Sequence, residues 1–334
     1  MLRLRIATLN CLNLALPGRI FYPAVEPYGA DEYIAKTQWL ATMFDRLAAD
    51  LVLVQEVFHE QALSDVVRQT ASGARGWSLA VPFADQANAL PRLGLAWRST
   101  LRPRLDSIVD LSPGHAVVVP DKAEHARFSR PLLRAALDLP DAAGGTTLTL
   151  LNVHLKSRRP EYLDSEDRDD PQLAARAQLR ALVMRAAEAA ALRAIVIEAM
   201  RGPRTPLVVA GDFNDEINAV TTQMVADTSW TPDDRPQRDH MLFDALEVER
   251  RIAPVRGRDV AYTVLHGGEP QRIDHVLVSE EFAPQSKRAI GQVASVAFLN
   301  DHLVERRQPR GATGPDLTRI YSDHAAVAVD LVFD

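Results

Sequence analysis

Five consecutive residues, Gly211 to Asp215, combine side chains that can bind a cation and a phosphate. They follow the apolar run 206–210, whose valines are typical of a buried strand. Glycine lets the backbone turn at the end of that strand, and the carboxylate of Asp212 and the amide of Asn214 emerge beside it. Oxygen donors in this arrangement suit a hard cation. The segment alone is equally compatible with an ordinary turn, because Asp and Asn also form turns through local hydrogen bonds.

Polar residues recur at the ends of other predicted strands. The residues concerned are Asn10, Glu56, Asn152, His154, Asp274, His275, Asp323 and His324. A buried charge without a partner is costly, so each charged group needs water, another polar group or a metal beside it. One shared pocket explains all of these residues more economically than a separate local partner for each.

The composition of the 334-residue chain is that of a globular protein, with 47% hydrophobic and 25% charged residues. Its net charge of −6 excludes a general attraction to nucleic acid, so a nucleic-acid substrate would need a local basic patch. Cys11 is the single cysteine, which excludes an intrachain disulfide and a Cys-rich zinc site. The sequence shows no membrane span, signal peptide or protein-partner motif, so we expect a cytoplasmic protein.

The elements that must position these residues alternate between helices and strand pairs. Helices are predicted over 32–48 with Asp31 as N-cap, over 60–71, and over 171–200 with Pro171 in the first turn. Strands are predicted at 2–10, 51–55, 77–82, 93–98, 104–109, 115–119, 132–139, 146–155, 206–211, 271–279, 289–299 and 325–332. A helix or turn is predicted near 216–227, weak structure over 228–260 and a loop over 305–318. This order favours helices on the outside of packed sheets.

Six short motifs, taken in order, resemble the endonuclease/exonuclease/phosphatase superfamily of metal-dependent phosphoesterases. They are Thr8-Leu9-Asn10, Leu53 to Val57, Leu151 to Leu155, Gly211 to Asn214, Arg272 to Leu277 and Tyr321 to Ala325. The resemblance covers residues 8 to 325, which is nearly the whole chain. It implies an α/β (α+β) fold, the DNase I-like four-layer α/β/β/α sandwich, with one active site at the sheet edges. Neither half of the chain carries a complete site, so residues 1–334 are predicted to form one domain.

The resemblance implies a Mg²⁺ cofactor, with Mn²⁺ as an alternative, held by Glu56, Asn10 and Asp323. Glu56 ends a strand that is otherwise apolar, and carboxylate oxygens are the ligands that both ions prefer. The alternative for Glu56 is a surface carboxylate that caps the following helix.

His324 is the predicted general base, since a neutral imidazole can accept a proton from water near pH 7. The resemblance implies Asp274 as the carboxylate that fixes its tautomer; a purely structural Asp–His pair is the alternative. Asp212 and Asn214 would position the attacking water and contact the phosphate. His154 would donate to a non-bridging oxygen and stabilise negative charge as it develops.

Phosphate contacts are also predicted from basic and amide side chains. The resemblance places a basic or aromatic residue from the middle strands over the phosphate, and Arg130 is the candidate, with Arg134 as the alternative. Lys156 and Arg158 follow the His154 strand and are further candidates, although each of these cations could equally lie on solvated surface. Asn152 either touches the phosphate or orients its own strand.

Two other histidines are weighed against this set. Asn300-Asp301-His302 is a second Asp–His pair, but it precedes a loop rather than the last strand, so Asp323–His324 is preferred. His275 lies beside Asp274, and strand alternation points the two side chains to opposite faces, which favours a structural role for His275.

The predicted activity is metal-dependent hydrolysis of phosphodiester bonds by a water that His324 activates. A nuclease is favoured, because basic clusters near Arg130 and over 156–159 could follow a nucleic-acid backbone. The first alternative is a phosphomonoesterase acting on a small or lipid-derived phosphate. The second is a non-catalytic binding protein on the same scaffold, although such a protein has no need of a general base.

Overall fold

The computed structural model describes residues 2–84, 90–140, 145–164, 166–202, 204–227, 240–252, 261–283, 285–306 and 316–333. The strands are β1 (Leu2–Leu14), β2 (Leu51–Val57), β3 (Trp77–Ala80), β4 (Arg92–Arg98), β5 (Arg104–Asp110), β6 (Val117–Val118), β7 (Glu124–His125), β8 (Arg127–Asp138), β9 (Thr147–His154), β10 (Leu207–Asp212), β11 (Phe243–Asp244), β12 (Val264–His266), β13 (Glu269–Gln271), β14 (Asp274–Val278), β15 (Gly291–Leu299) and β16 (Ala326–Phe333). The helices are α1 (Ala30–Leu47), α2 (Glu60–Arg68), α3 (Gly73–Gly76), α4 (Pro171–Ala199), α5 (Val220–Ala226), α6 (Ala245–Ile252), α7 (His302–Glu305) and α8 (Leu317–Ile320). Among these helices, none could serve as a membrane span.

Most strands belong to two sheets of six strands each. The first sheet has the order β15-β16-β1-β2-β4-β3, and the second has the order β11-β14-β10-β9-β8-β5. Each sheet contains one parallel pair, β1 with β2 in the first and β9 with β10 in the second. Parallel strands end at the same edge of a sheet, so the polar residues that follow each pair are brought together. A separate hairpin, β12–β13, stands beside the second sheet.

The two sheets pack face to face over an apolar layer, and helices cover their outer faces. The layer between the sheets includes Leu4, Ile6, Leu53, Leu150, Val208, Val276 and Val329. Leu40 and Phe44 of α1 pack against the first sheet, and Leu192 and Val196 of α4 pack against the second. Burying each such side chain stabilises the fold by about 1.5–3 kcal/mol. The predicted α/β/β/α sandwich is therefore confirmed.

The layer between the sheets draws on both ends of the described chain. Leu4 of β1 and Val329 of β16 lie in the same cluster as Leu150 and Val208 from the middle of the sequence. On this basis we propose that residues 1–334 form the single domain that the distribution of motifs predicts.

Several element boundaries differ from the prediction. α1 begins at Ala30, because Glu32 accepts a hydrogen bond from the Gly29 backbone nitrogen at 3.0 Å and so completes the helix start without Asp31. β1 continues past Asn10 to Leu14 through an irregular segment in which Leu12 and Asn13 have positive φ. β8 begins at residue 127 rather than 132, and the strand predicted over 271–279 is divided between β13 and β14.

Other boundaries agree with the prediction. Pro171 occupies the first turn of α4, and Asp170 caps that helix by accepting hydrogen bonds from the Gln172 and Leu173 backbone nitrogens. α5 falls within the predicted 216–227 segment. The weakly patterned stretch 228–260 contains α6, while 228–239 and 253–260 lie outside the described residues. Within the predicted loop over 305–318, residues 307–315 also lie outside them.

Candidate active site

Strand alternation turns the predicted site residues toward the space between the two sheets. In β1, Leu4 and Ile6 lie in the apolar layer, and Asn10 lies an even number of positions further along. In β10, Val208 and Ala210 lie in the same layer, which gives Asp212 the same orientation.

The same reasoning applies to β9 and β14. Leu148 and Leu150 precede Asn152 and His154, and Val276 follows Asp274, always with even spacing. The polar residues thus lie on the same strand faces as the apolar layer, but at one end of the sandwich, where the strands end.

His275 has the opposite orientation, as alternation predicts. It is buried, its ring packs edge-on against Phe213, and its Nε2 lies 2.9 Å from the Asp215 carbonyl oxygen. Burial lowers its pKa to about 4, with the nearby Arg272 as a second cause. His275 is therefore a neutral structural residue on the outer face of the second sheet.

Gly211 makes the turn after β10 possible. Its φ is 145°, and a Cβ built at this position would lie 2.0 Å from the Val153 carbonyl oxygen. No residue with a side chain fits there, so glycine lets β10 lie directly against β9 as Asp212 emerges. Asn214 follows with φ 54°, and its backbone nitrogen donates to Asp212 Oδ1 at 2.8 Å.

Asn10 joins two carboxylates that come from different sheets. Its Nδ2 lies 3.2 Å from Glu56 Oε1 and 3.2 Å from Asp212 Oδ2, and its Oδ1 accepts a hydrogen bond from the Leu12 backbone nitrogen. Cation binding through Asn10 would require the amide to turn over and present its oxygen. Its role as a metal ligand stays a prediction.

Glu56 reaches this cluster through an irregularity in β2. Simple alternation would place it with Val52 and Val54, which face α1 and the outer core. Its φ is 59°, and the pairing of β2 with β4 shifts register between Val54 and Val57. Glu56 Oε2 accepts a hydrogen bond from the Asn13 backbone nitrogen at 3.0 Å. The bulge therefore directs the carboxylate to the site end of the sandwich.

His324 forms a buried pair with Asp274. Its Nδ1 lies 2.9 Å from Asp274 Oδ2, and its Nε2 lies 3.8 Å from Asp212 Oδ2. Ser322 holds the backbone before β16, because its hydroxyl donates to the Asn10 carbonyl oxygen and accepts from the His324 nitrogen. Nδ1 is thereby occupied by the carboxylate, and Nε2 is the nitrogen that faces the remaining site residues.

The protonation of His324 and Asp212 is linked by their proximity. Burial alone would lower the pKa of His324, but Asp274 and Asp212 outweigh it and hold that pKa well above its usual value. The pKa of Asp212 is raised to about 7, chiefly by burial and also by the carboxylates of Asp274 and Glu56, against the lowering effect of His324. The site thus concentrates negative charge that its own basic groups only partly neutralise.

His154 lies at the buried side of the same cluster. Its Nε2 is 3.4 Å from Asp212 Oδ2, and its Nδ1 has no hydrogen-bond partner among the described residues. Burial lowers its pKa well below the usual value, and the charges of Arg130 and His324 lower it further. His154 is therefore a neutral hydrogen-bond donor beside Asp212.

Arg130 is part of the same end of the sandwich. It lies in β8, and its Nη1 donates to the Leu155 carbonyl oxygen at 3.3 Å. Among the described residues it has no carboxylate partner, whereas Arg134 is paired with Asp106 on exposed surface. This difference supports Arg130 over Arg134 as the phosphate contact, which stays a prediction.

Asn152 and Lys156 are engaged within the protein. Asn152 Oδ1 accepts from Gln55 at 2.7 Å, and Asn152 Nδ2 donates to the carbonyl oxygens of Val54 and Gly94, which ties the two sheets together. This fits the alternative in which Asn152 orients its strand. Lys156 Nζ lies 3.0 Å from Glu161 Oε2, so its charge is already balanced.

The residues present fit a divalent cation. Among the described residues, no arginine or lysine forms a salt bridge with Glu56, Asp212, Asp274 or Asp323. Asp212, Asp274 and His324 each offer one ligand atom, and these atoms lie within 4.8 Å of one another. Oxygen-rich, incompletely neutralised clusters are the environment that Mg²⁺ and Mn²⁺ prefer. Of the predicted set, Asn10 and Glu56 adjoin this group through the hydrogen bonds of Asn10, and Asp323 lines the same groove as His324.

A groove of 680 Å³ opens over His324. Asp323, His324 and Asn214 line it. Ser157, Arg158 and Arg159, from the segment after β9, form a basic wall of the groove, and Val264, Leu265 and His266 from the β12–β13 hairpin also line it. A substrate in this groove would meet the Asp274–His324 pair and a basic wall at once.

Sequence reasoning missed the residues that brace this site from behind. Glu188 of α4 is fully buried and accepts hydrogen bonds from Ser129 and from the Lys156 backbone nitrogen, so it holds the segments on either side of the cluster. Gln55 links Thr8 to Asn152 across the sheets. The signal available was the presence of Glu188 within an Ala- and Leu-rich run, but its partners are distant in sequence.

A four-layer sandwich with a buried Asp–His pair and clustered carboxylates at one end defines a class of phosphoesterases. The model of the Endonuclease/Exonuclease/phosphatase family matches residues 7–324, and the chain belongs to this family. No curated protein sequence gives a significant match.

Several solved structures share this fold. The catalytic domain of human Nocturnin with bound sulfate has a TM-score of 0.56 and 16% identity, covering 99% of this chain and 95% of that one. An endonuclease/exonuclease/phosphatase from Bacteroides vulgatus has a TM-score of 0.55 and 15% identity, covering 100% of both chains. TDP2 of D. rerio complexed with a single-strand DNA product has a TM-score of 0.53 and 15% identity, covering 99% of both. At these identities the likeness establishes the fold.

Proposed function

We propose that this protein is a divalent-metal-dependent phosphodiesterase, and that its substrate is a nucleic acid. The observation that carries the proposal is the buried His324–Asp274 pair at 2.9 Å, placed in an open groove beside unneutralised carboxylates. Two features support nucleic acid as the substrate: the basic wall of the groove, and the structural neighbour TDP2 of D. rerio, which was solved in complex with a single-strand DNA product.

His324 is proposed as the general base. A water near Nε2 would lose its proton to that nitrogen, while Asp274 holds the Nδ1 proton and stabilises the imidazolium that forms. Nε2 faces Asp212, which can accept a hydrogen bond from the same water and orient its lone pair toward phosphorus. The imidazole must be neutral to accept a proton. Positive charge beside the carboxylates of Asp274 and Asp212 would weaken their effect on His324 and so lower its raised pKa toward pH 7.

Asn214, His154 and Arg130 are proposed to bind the phosphate. Asn214 lines the groove with its Nδ2 2.9 Å from the Leu155 carbonyl oxygen, and Arg130 donates to the same carbonyl. These two donors meet directly after His154, the last residue of β9, and all three are proposed to stabilise the charge that develops on the non-bridging oxygens. Asn152 and Lys156 stay in the predicted phosphate-binding set, with the bonds described above as competing partners.

Mg²⁺ or Mn²⁺ is proposed as the cofactor, held by Glu56, Asp323 and Asn10. When bound, the ion polarises the phosphoryl group and neutralises developing charge. Glu56 is the residue with the clearest role, because β2 is distorted at this position so that its carboxylate faces the cluster.

The test measures hydrolysis of bis(p-nitrophenyl) phosphate and of short DNA and RNA strands with Mg²⁺ or Mn²⁺. We expect activity that excess chelator removes and that His324→Ala and Glu56→Ala abolish. Glu198→Ala is the control, since that carboxylate is exposed on α4 and paired with Arg201. Full activity in chelator, or in either site variant, would overturn the proposal.

The same assay separates the alternatives. A phosphomonoesterase would cleave p-nitrophenyl phosphate faster than the diester at equal concentration. A binding protein without catalysis would show tight binding of an oligonucleotide by titration calorimetry and no turnover with either metal.

A further inference from the structure

We propose that the groove beside His324 binds a second phosphate of the substrate through Arg158 and Arg159, with the attached nucleoside against the β12–β13 hairpin. This inference rests on the proposed function and specifies its substrate: a nucleotide chain with a phosphate next to the scissile one. The steps below rest on the charge of the basic wall, its rigidity and the chemistry of the hairpin part of the groove lining.

The two arginines carry charge that the protein does not balance. Within the described part of the chain, neither guanidinium forms a salt bridge, although most other arginines do. Arg158 donates to the side-chain oxygen of Gln271, a neutral partner in β13. Arg159 lines both the groove and an adjoining cavity of 270 Å³ that also contains Arg168. The wall is therefore an anion-binding surface with free capacity.

The segment that carries these arginines is anchored at both sides. Glu188 accepts a hydrogen bond from the Lys156 backbone nitrogen at 2.7 Å. Arg180, which is fully buried, donates to the Glu161 carbonyl oxygen at 2.9 Å and to the Glu166 carboxylate. The residues between these anchors project from a fixed backbone, so the entropy lost on binding an anion is reduced.

The hairpin part of the groove lining has a different chemistry. Leu265 is partly exposed, Val264 and Ile273 are buried apolar residues of the same lining, and His266 is exposed. Gln271 of the same hairpin receives Arg158, so the basic wall and the hairpin are linked at one place. A groove lined by two arginines that have no salt bridge among the described residues, by a partly exposed leucine and by His324 matches a nucleotide, which offers a phosphate to the cations and a base to the apolar surface.

The test uses thymidine 3′,5′-bisphosphate, which carries two phosphates separated by one sugar, and compares it with the 3′- and 5′-monophosphates. Titration calorimetry on the wild type is expected to show at least about tenfold tighter binding of the bisphosphate, since each charge-assisted contact is strong. In Arg159→Ala and in the Arg158→Ala/Arg159→Ala variant, the bisphosphate is expected to bind at most about twofold more tightly than the monophosphates. We call this ratio of affinities the bisphosphate advantage.

Arg201→Ala is the matched control, because it removes the same charge from an exposed position at the end of α4 and should retain the full advantage. Thermal unfolding of each variant checks that the fold is intact. Equal binding of mono- and bisphosphate by the wild type would overturn the inference, and so would an unchanged advantage in the double variant.

The outcome is distinct from that of the proposed function. Hydrolysis of bis(p-nitrophenyl) phosphate without a bisphosphate advantage rejects the second phosphate site and leaves the phosphodiesterase standing. A bisphosphate advantage without hydrolysis supports the groove as a nucleotide site and rejects the catalytic proposal.

Discussion

Two aspartates in this protein, Asp212 and Asp330, are each 1% exposed, yet their electrostatic surroundings are opposite. Asp330 of β16 accepts hydrogen bonds from Arg3 at 2.9 and 2.8 Å and from Arg5 at 2.9 Å, and Ser295 also donates to it. Burial would raise its pKa, but these partners outweigh burial and lower it. Asp212 has no arginine or lysine partner among the described residues, and its pKa is raised to about 7, chiefly by burial.

Both carboxylates contact residues of β1. Asp330 of β16 lies opposite Arg5 in β1, whereas Asp212 of β10 is hydrogen-bonded to Asn10, further along the same strand. The carboxylate at one end has its own cations and stabilises the sheet. The carboxylates at the other end lack them, so that their charge is available for a cation and a reacting water. Removing charge should therefore have different consequences at the two ends.

Asp212→Asn should give the largest effect on catalysis. The amide cannot replace the carboxylate that orients the water, so kcat on a diester is expected to fall by about 10³-fold. Because the pKa of Asp212 is raised from the ordinary 3.8 to about 7 in the folded protein, the stability cost of ionising it grows between these pH values and is fully present above pH 7. At pH 8 the variant should therefore be as stable as the wild type or more stable in urea unfolding. If Asp212→Asn kept its activity and lost stability, the contrast between Asp212 and Asp330 would be contradicted.

Adding Mg²⁺ should distinguish the proposed site from the region around Asp330 by its effect on stability. Mg²⁺ at about one hundred times its Kd is expected to stabilise the wild type by about 2.7 kcal/mol. The effect should shrink in Glu56→Gln, which lacks one carboxylate of the proposed site, and persist in Asp330→Asn. Thermal unfolding with and without the ion measures it. Equal stabilisation of Glu56→Gln and the wild type would place the ion elsewhere.

Asp330→Asn should affect stability instead of catalysis. It removes the shared partner of Arg3 and Arg5, which are partly exposed and can regain water, so the expected loss is about 2 kcal/mol. The measured kcat should change less than about twofold, because the site lies at the other end of β1. Asp138→Asn is the control, since its pair with Arg104 is exposed and its loss should leave unfolding nearly unchanged.

The smallest expected effect is the pH dependence of that loss. Because the pKa of folded Asp330 lies below the ordinary 3.8, its contribution is fully present above pH 3.8. It is lost as the pH falls through the lower value of the folded protein. The difference in unfolding free energy between the wild type and Asp330→Asn should therefore be constant near neutrality and shrink below about pH 4. A difference that grows in acid would contradict the proposed pairing.

The sandwich was predicted from the ordered motifs and their resemblance to the family, and the structure confirms it. The polar strand ends that the sequence singled out do lie together, and their roles in catalysis stay predictions. Buried runs with period two define the strands, and the same period orients Asn10, His154, Asp212 and Asp274. These side chains lie on the strand face that also carries the apolar residues between the two sheets. Once a strand is identified, its alternation therefore shows which polar residues point to that space.

Other parts of the site depend on contacts that no local pattern contains. Glu56 faces the site because β2 departs from regular geometry there, and alternation alone would point it outward. Arg180 and Glu188 are polar members of a helix whose partners lie in loops far away in sequence. The lack of a salt bridge at Arg159 among the described residues could be recognised only from the structure, which shows the carboxylates that pair with most other arginines.

The position of β16 has a consequence for how the protein is made. This strand lies between β1 and β15 in the first sheet, although it is synthesised after all the other described strands. β1 therefore waits for a partner more than 300 residues away, and contacts of such long range form slowly. His324 arrives with the same segment as the missing strand. A nascent chain would thus gain His324, the proposed general base, only when its first sheet can close, and under the proposed function an unfinished chain would have no hydrolytic activity.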